Sequence, residues 1–338
     1  MVSLGPLLDP IMKDLGVALS QAGLISAGLF VGNTLGIVIC NTNLARVPAK
    51  WAIVVGTFLQ GVGLILAGLV SRNLWSLFAA YFVVGASGAL VNTTCWIWLS
   101  AHMKKNMAAA ALQMILFFGV GMVFTPVVLG PILDQGASWR WVLVAEGGLS
   151  LVLAAVFTML PLLEVPGRRN VRLSDFKQVV AHNRGLLLGM MAACFMYAGA
   201  ETTINVWLPK FQIDVFGAGD TWASLSVTLF WVGLVVGRLA IMPLTARFSS
   251  ARLLLVCAGV LAVFCVALAV SPTQVSALVL SVGAGLGASA SYGLIGSYSG
   301  QFPGWQSGVA SSLFILAGGV GCVVFPYLMG PIANSAGF

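Results

Sequence analysis

The sequence predicts an all-α polytopic membrane protein of two six-helix halves, and three observations carry that prediction. The first is composition. Of 338 residues, 59% are apolar and 7% charged, whereas soluble domains run about 45–50% apolar with glycine counted in and about 25% charged. The 40 glycines lie outside the 59%, so the contrast is larger still. The second is ten apolar runs of spanning length, and the third is an internal repeat of about 200 residues. A mean hydropathy of +1.02 over the whole chain is more than one anchor supplies. Cytosolic enzymes, disordered chains, nucleic-acid-binding domains and secreted disulfide scaffolds are all excluded on this ground.

Taken in order, the elements begin with Met1 to Met12, which is apolar but reaches only ~18 Å at ~1.5 Å per residue. It reads as the outer end of a first helix. Complete spans follow at 17–40, 51–71, 75–99, 107–131 and 140–162. The third of these carries Asn92-Thr93-Thr94, the fourth Gln113 and Pro126, and the fifth Glu146. Next comes the longest loop, 163–184, whose polar stretch from Gly167 to Arg184 predicts a short helix at the membrane surface. The second series spans 185–208, 221–245, 252–270, 273–297 and 307–330. The expectation is ten full spans plus a stub, each span meeting the need for about 20 apolar residues.

Basic residues orient the bundle. Arg46, Lys50, Lys104, Lys105, Arg168, Arg169, Arg172, Lys177, Arg184, Arg247 and Arg252 fall in one set of alternate loops, and Lys13, Arg72, Arg140 and Lys210 in the other. The richer side is the cytoplasmic one by the positive-inside rule, with the central loop on it. The net charge of +7 therefore signals orientation and not nucleic acid. Six cysteines lie scattered through apolar stretches with no C-x-x-C pair and no partnering histidines, which predicts packing residues and no metal or disulfide framework. Met1-Val-Ser-Leu has neither a basic n-region nor a cleavage site, so it does not read as a signal peptide. No H-E-x-x-H and no phosphate loop after a strand appears, so the protein is expected not to be an enzyme and to need no cofactor.

The repeat sharpens the architecture. Pro126-Val-Val-Leu-Gly130-Pro131-Ile132 returns as Pro326-Tyr-Leu-Met-Gly330-Pro331-Ile332, and Gly119-Val120-Gly121 as Gly319-Val320-Gly321. Gly32, Gly36, Ala45 and Arg46 return as Gly233, Gly237, Ala246 and Arg247, and Gly85-Ala86 as Gly283-Ala284. Leu8 and Asp14 match Leu208 and Asp214. A repeat with an even number of spans returns each copy to the same face, which makes the halves parallel repeats about an axis along the membrane normal. The halves are expected at 1–162 and 185–338, joined by a cytoplasmic linker at 163–184. Such a pair encloses a cavity that rocking exposes to alternate faces, the logic of a carrier.

These residues resemble the major facilitator superfamily over nearly the whole chain. Gly5-Pro6-Leu7-Leu8, Asp14-Leu15-Gly16 and Gln21-Ala22-Gly23-Leu24 look like its passage from helix 1 to helix 2, and Ser138-Trp139-Arg140-Trp141 like the start of its helix 6. Its loop motif after helix 2 keeps basic positions here, as Arg46 and Lys50, but loses the aspartate and both glycines in Asn41–Lys50. Tyr81 stands where proton-coupled members carry an arginine. The helix 5 antiporter motif survives in part, as Gly121, Pro126 and Gly130. Tyr197-Ala-Gly199-Ala200-Glu201 with Trp207-Leu208, together with Asn92 and Leu112-Gln113, is similar to the fucose/glucose–galactose symporter group. In that family twelve helices form the two halves, so the resemblance implies a truncated helix 1 and a helix 12 lying outside this chain.

The resemblance implies a secondary active transporter of a small polar solute such as a sugar, coupled to H+ or Na+. It also implies a monomer in the bilayer of the bacterial inner membrane, with no nucleic-acid partner. An exporter or antiporter of drugs or organic anions is the alternative within the family, and a non-transporting receptor or scaffold the alternative outside it. An ionisable group inside a span is costly unless hydrated or paired, so each is a functional candidate. Glu201 leads, as binder of a hydroxyl or carrier of the coupling proton, and shares one helical face with Tyr197 and Asn205. Asn92, Gln113, Trp96 and Tyr292 complete the candidate substrate site through amides and stacking rings. Arg238, after Gly233-x-x-x-Gly237, is expected to latch a cytoplasmic gate together with Arg46, Lys50 and Arg247. Asp9 reads as a helix-end charge near the outer surface and Glu146 as structural.

Overall fold

A computed structural model describes residues 3–43, 47–102, 107–161, 173–303 and 306–337. The first series comprises α1 (Leu4–Leu15), α2 (Leu19–Asn43), α3 (Ala49–Val70), α4 (Leu74–His102), α5 (Met107–Asp134) and α6 (Trp139–Met159). A short helix α7 (Leu173–His182) precedes α8 (Arg184–Phe216), α9 (Asp220–Ile241) and α10 (Ser250–Ala269). Then come α11 (Gln274–Ala288), α12 (Ser291–Ser297) and α13 (Gln306–Ala336). Among the described residues ten helical segments are long and apolar enough to cross a membrane, one of them running from α11 through α12 to Gln301. The fold is all-α and polytopic.

Two predicted elements differ from what forms. The run expected at 185–208 continues to Phe216, because Pro209 is accommodated inside the helix and a left-handed Gly217 is the first residue to stop it. This brings Glu201 close to the middle of α8. The run expected at 273–297 breaks into α11 and α12 around Ser289 and Ala290. Hydropathy averages over a window and passes across such a break without a signal.

Each half has its own apolar core. Leu7, Leu8, Ile11, Ile25, Leu77 and Leu143 are sealed in the first, and Val227, Phe230, Trp231, Leu234 and Ile295 in the second. Tyr81 packs within the first core. Arg140 ties that half together at one end. Its guanidinium donates to the Asp14 carboxylate at 2.8 and 3.1 Å and to the Gly68 and Ser71 carbonyls at 3.1 and 2.8 Å. The last two acceptors belong to the end of α3, where a cation meets the carbonyls a helix leaves unpaired.

The end of the bundle that carries Lys13, Arg72, Arg140 and Lys210 is called the outer end below, after the topology expected from charge. The halves meet along α1–α8, α2–α13 and α5–α9. The repeated Pro-x-x-x-Gly-Pro-Ile motif serves two of these seams. Gly130 of α5 lies against the backbone of Thr221, where α9 begins, and Gly330 of α13 against Leu19 and Ser20, where α2 begins. The Trp207 indole of α8 donates to the Pro326 carbonyl at 3.0 Å. That bond lies within the second half, whereas the Gly130 and Gly330 contacts cross between the halves and lie toward the outer end.

The structure corrects two readings of α1. Asp9 is not a surface charge: it is 5% exposed, because α1 is clasped between the halves. The register of the repeat is also one residue from the Asp14–Asp214 match. The left-handed caps Gly16 and Gly217 end α1 and α8, so the residues equivalent to Asp9 and Lys13 are Lys210 and Asp214.

Candidate functional site

The site is built chiefly from α8. The side-chain oxygen of Asn183 accepts the Leu186 amide at 3.1 Å and starts the helix, and from there every fourth residue falls on one face. Tyr197, Glu201 and Asn205 lie on that face. Asn205 is fully engaged: its amide nitrogen donates to the Glu201 carbonyl at 3.0 Å, and its oxygen accepts the Trp231 indole N–H at 2.6 Å. In this conformation it fastens α8 to α9. Phe118 of α5 meets the same indole edge-on, with ring centroids 6.0 Å apart.

Glu201, near the middle of α8, is half-buried. Tyr292 of α12 is 40% exposed and packs its ring against Phe314 of α13, with centroids 5.7 Å apart. The Tyr197 hydroxyl makes no hydrogen bond in good geometry within the described protein, and its charged neighbours are the Glu201 carboxyl and the Arg238 guanidinium. Cys322 of α13 accepts a hydrogen bond from the Thr202 hydroxyl at 3.1 Å and lies within electrostatic reach of Glu201. Around Glu201 the helices thus gather a carboxyl, two phenols, of which the Tyr197 hydroxyl is buried, and a thiol. Such a set accepts and donates hydrogen bonds to a hydroxylated solute, and its carboxyl is able to gain or lose a proton.

Arg238 occupies a position that sequence reasoning had only partly placed. Its Nε donates to the Ser289 carbonyl at 2.8 Å. That carbonyl belongs to the break between α11 and α12, where a helical partner is lost and a buried acceptor needs another donor. Gly233, Gly237 and Gly285 let α9 and α11 approach closely enough for the bond to form. Arg238 therefore spans two duties, holding the broken helix and facing Tyr197 and Glu201 electrostatically.

The remaining candidates separate. Asn92 is exposed on α4. The side chains of Trp96 and Gln113, and Arg46 altogether, lie outside the described residues. Lys50 sits half-buried at the start of α3, and Arg247 is exposed after the turn Met242–Ala246 that follows α9. Both are at the opposite end from α1's clasp, away from the Glu201 cluster. Glu146 accepts a hydrogen bond from the Ser3 hydroxyl at 3.2 Å, joining α6 to α1. Among the described residues no three His, Cys, Asp or Glu side chains converge as a metal site would require.

The Major Facilitator Superfamily model matches residues 1–337. The chain belongs to the major facilitator superfamily. Among relatives of this facilitator chain is a glucose/galactose transporter of Brucella abortus biovar 1 (strain 9-941). The two are 30% identical over 209 residues, which is 57% of this chain and 50% of that protein. The facilitator chain thus spans half the length of that relative. Two solved structures share its fold. The nucleoside transporter NupG superposes with a TM-score of 0.76 at 13% identity, covering 98% of this chain and 87% of that one. The E. coli fucose:proton symporter FucP superposes with a TM-score of 0.59 at 18% identity, covering 99% and 90%. The family is one of transporters and not a catalytic enzyme fold.

Proposed function

We propose that the protein moves a small polar solute, a sugar or a molecule like it, across the bacterial inner membrane by alternating access coupled to H+ or Na+. The observation that carries this reading is Glu201, a half-buried acidic side chain near the middle of a membrane-spanning helix. A carboxyl there is expensive to maintain and is retained where an ion or substrate pathway uses it. The names of the similar proteins, two sugar transporters and a nucleoside transporter, support a hydroxylated substrate. Asn92, Trp96, Gln113, Tyr197 and Tyr292 are assigned to the substrate, and Glu201 also to the coupling ion. Asn205 joins them through its grip on Glu201's helix. The units that rock are 1–162 and 185–338, with 163–184 on the cytoplasmic face, and the protein acts as a monomer.

Uptake of radiolabelled hexoses and nucleosides into proteoliposomes, with imposed pH or sodium gradients, tests the proposal. Saturable accumulation driven by one gradient is expected, and Glu201→Gln is expected to abolish accumulation while leaving solute exchange across a balanced membrane. Linear, unsaturable flux would overturn the carrier reading. Accumulation by Glu201→Gln equal to wild type would remove Glu201 from the coupling role.

A further inference from the structure

Four charges at the outer end form one continuous chain. Lys13 Nζ meets Asp9 Oδ2 at 2.7 Å, Asp9 Oδ1 meets Lys210 Nζ at 2.7 Å, and Lys210 Nζ meets Asp214 Oδ1 at 2.6 Å. The outer two links stay within one helix each, between residues four apart on α1 and on α8. Only the central link crosses between the halves. It is also the buried one, with side chains 7% and 11% exposed against 74% for Lys13 and 30% for Asp214.

The arrangement follows from the repeat. With Gly16 and Gly217 aligned as caps, Asp9 corresponds to Lys210 and Lys13 to Asp214, each at an offset of 201 and each with its charge inverted. Two parallel repeats about a shared axis bring equivalent residues face to face, as an isologous interface does. Identical charges would repel there. Inversion of both members of the pair turns repulsion into a bridge, and it also leaves a neutral pair on each helix.

We propose that the Asp9–Lys210 bridge is the latch that holds the outer end shut, and that Lys13 and Asp214 are standby partners that keep each charge compensated when the latch parts. Breaking a buried ion pair is ordinarily prohibitive because an uncompensated charge is left behind. Here the central link breaks and no charge is orphaned, so the latch is firm when closed and still reversible. A second cross-half contact lies beside it: the Asp134 carboxylate of α5 accepts the Asp220 and Thr221 amides at 2.8 and 3.0 Å, at the start of α9. An anion at a helix N-terminus is favourable, and it parts as the same seam opens. The proposal rests on the transport reading in one respect only, that the outer end opens at all.

The test is a distance measurement in lipid nanodiscs. Spin labels are attached through a ketone amino acid at Arg72 and Pro272, in outer loops of the two halves, which leaves the native cysteines in place. Wild type is expected to show a dominant short distance. Asp9→Asn and Lys210→Gln are each expected to raise a longer-distance population several-fold, with melting temperature confirming that both are folded. The exchange Asp9→Lys with Lys210→Asp restores the bridge but sets like charges four residues apart on each helix. It is expected to be shut more completely than wild type. Exchange of all four residues is expected to restore the wild-type distribution. Single variants indistinguishable from wild type, in a protein whose wild-type distances respond to substrate or ion gradients, would overturn the latch alone. Wild-type distances that never respond, with variants that do open, would overturn the transport reading and leave the latch standing.

Discussion

Trp231 and Arg238 are both on α9, and each stabilises a polar group that would otherwise be orphaned in an apolar bundle. Trp231 donates to Asn205 at 2.6 Å while itself only 2% exposed. Replacing it by phenylalanine keeps an aromatic ring but removes the donor and leaves the volume of the lost pyrrole portion empty. An unsatisfied buried acceptor costs about 1–3 kcal/mol. Trp231→Phe is therefore expected to lower the melting temperature while leaving substrate affinity within a few-fold of wild type. Scanning calorimetry and a binding titration check the two halves of that statement. Arg238→Leu removes the donor to the Ser289 carbonyl, and the loss falls on the break itself. Hydrogen exchange is expected to quicken through Ser289–Ser297 and to stay unchanged in α10, and uniform protection across both would show that the bond does not hold the break.

At the scale of the helices, glycine decides how the halves meet. A Cβ on Gly130 would lie 2.7 Å from the Thr221 Cα, and one on Gly330 would lie 2.9 Å from the Leu19 carbonyl oxygen. Both obstacles are backbone and cannot rotate away. Gly130→Ala and Gly330→Ala are expected to force the seams apart and cost about 1–3 kcal/mol each. Gly148, inside α6 and with open space around it, is the control: alanine there is expected to be neutral or to stabilise by about 0.5–1 kcal/mol. Chemical denaturation in mild detergent ranks the three. The same helices show what could be read in advance. The Pro-x-x-x-Gly-Pro-Ile repeat was legible because the two copies perform one task, seating a helix against the start of another. The break in α11–α12 was not, since a window of small apolar residues reads alike whether the backbone is continuous or kinked. Nor was the Asp9–Lys210 pair. A search for repeats rewards identity, Asp14 matched Asp214, and the true equivalents carry opposite charges. Of the candidate site, the Tyr197–Glu201–Asn205 face followed from helical spacing alone, whereas the engagement of Asn205 by Trp231 depends on how α9 rotates against α8, which no local pattern encodes.

The whole molecule is electrically polarised along its long axis. The acids Asp14, Asp134, Asp214 and Asp220 lie at or near helix ends on the outer side, Asp9 lies buried within α1 on that side, and four basic residues share it with them. The opposite side carries the larger basic group, including Lys177 on α7 and Arg184 where α8 begins. Cationic loops resist translocation and acidic ones contribute little, so this distribution is expected to set which way the bundle inserts. On that expectation the clasp of α1 and the Asp9–Lys210 bridge face away from the cytoplasm, and α7 faces it. The consequence is a labelling asymmetry. In spheroplasts of a bacterial host, a membrane-impermeant maleimide is expected to modify Arg72→Cys directly and Lys177→Cys only after permeabilisation. The native cysteines, all buried or half-buried, set a low background against which either signal stands out. The reverse pattern would invert the topology and with it the assignment of the closed end as the outer one, while equal labelling of both sites would mean that charge does not orient this bundle. The variants leave every ion pair of the outer chain intact, so the outcome reports on orientation and not on gating.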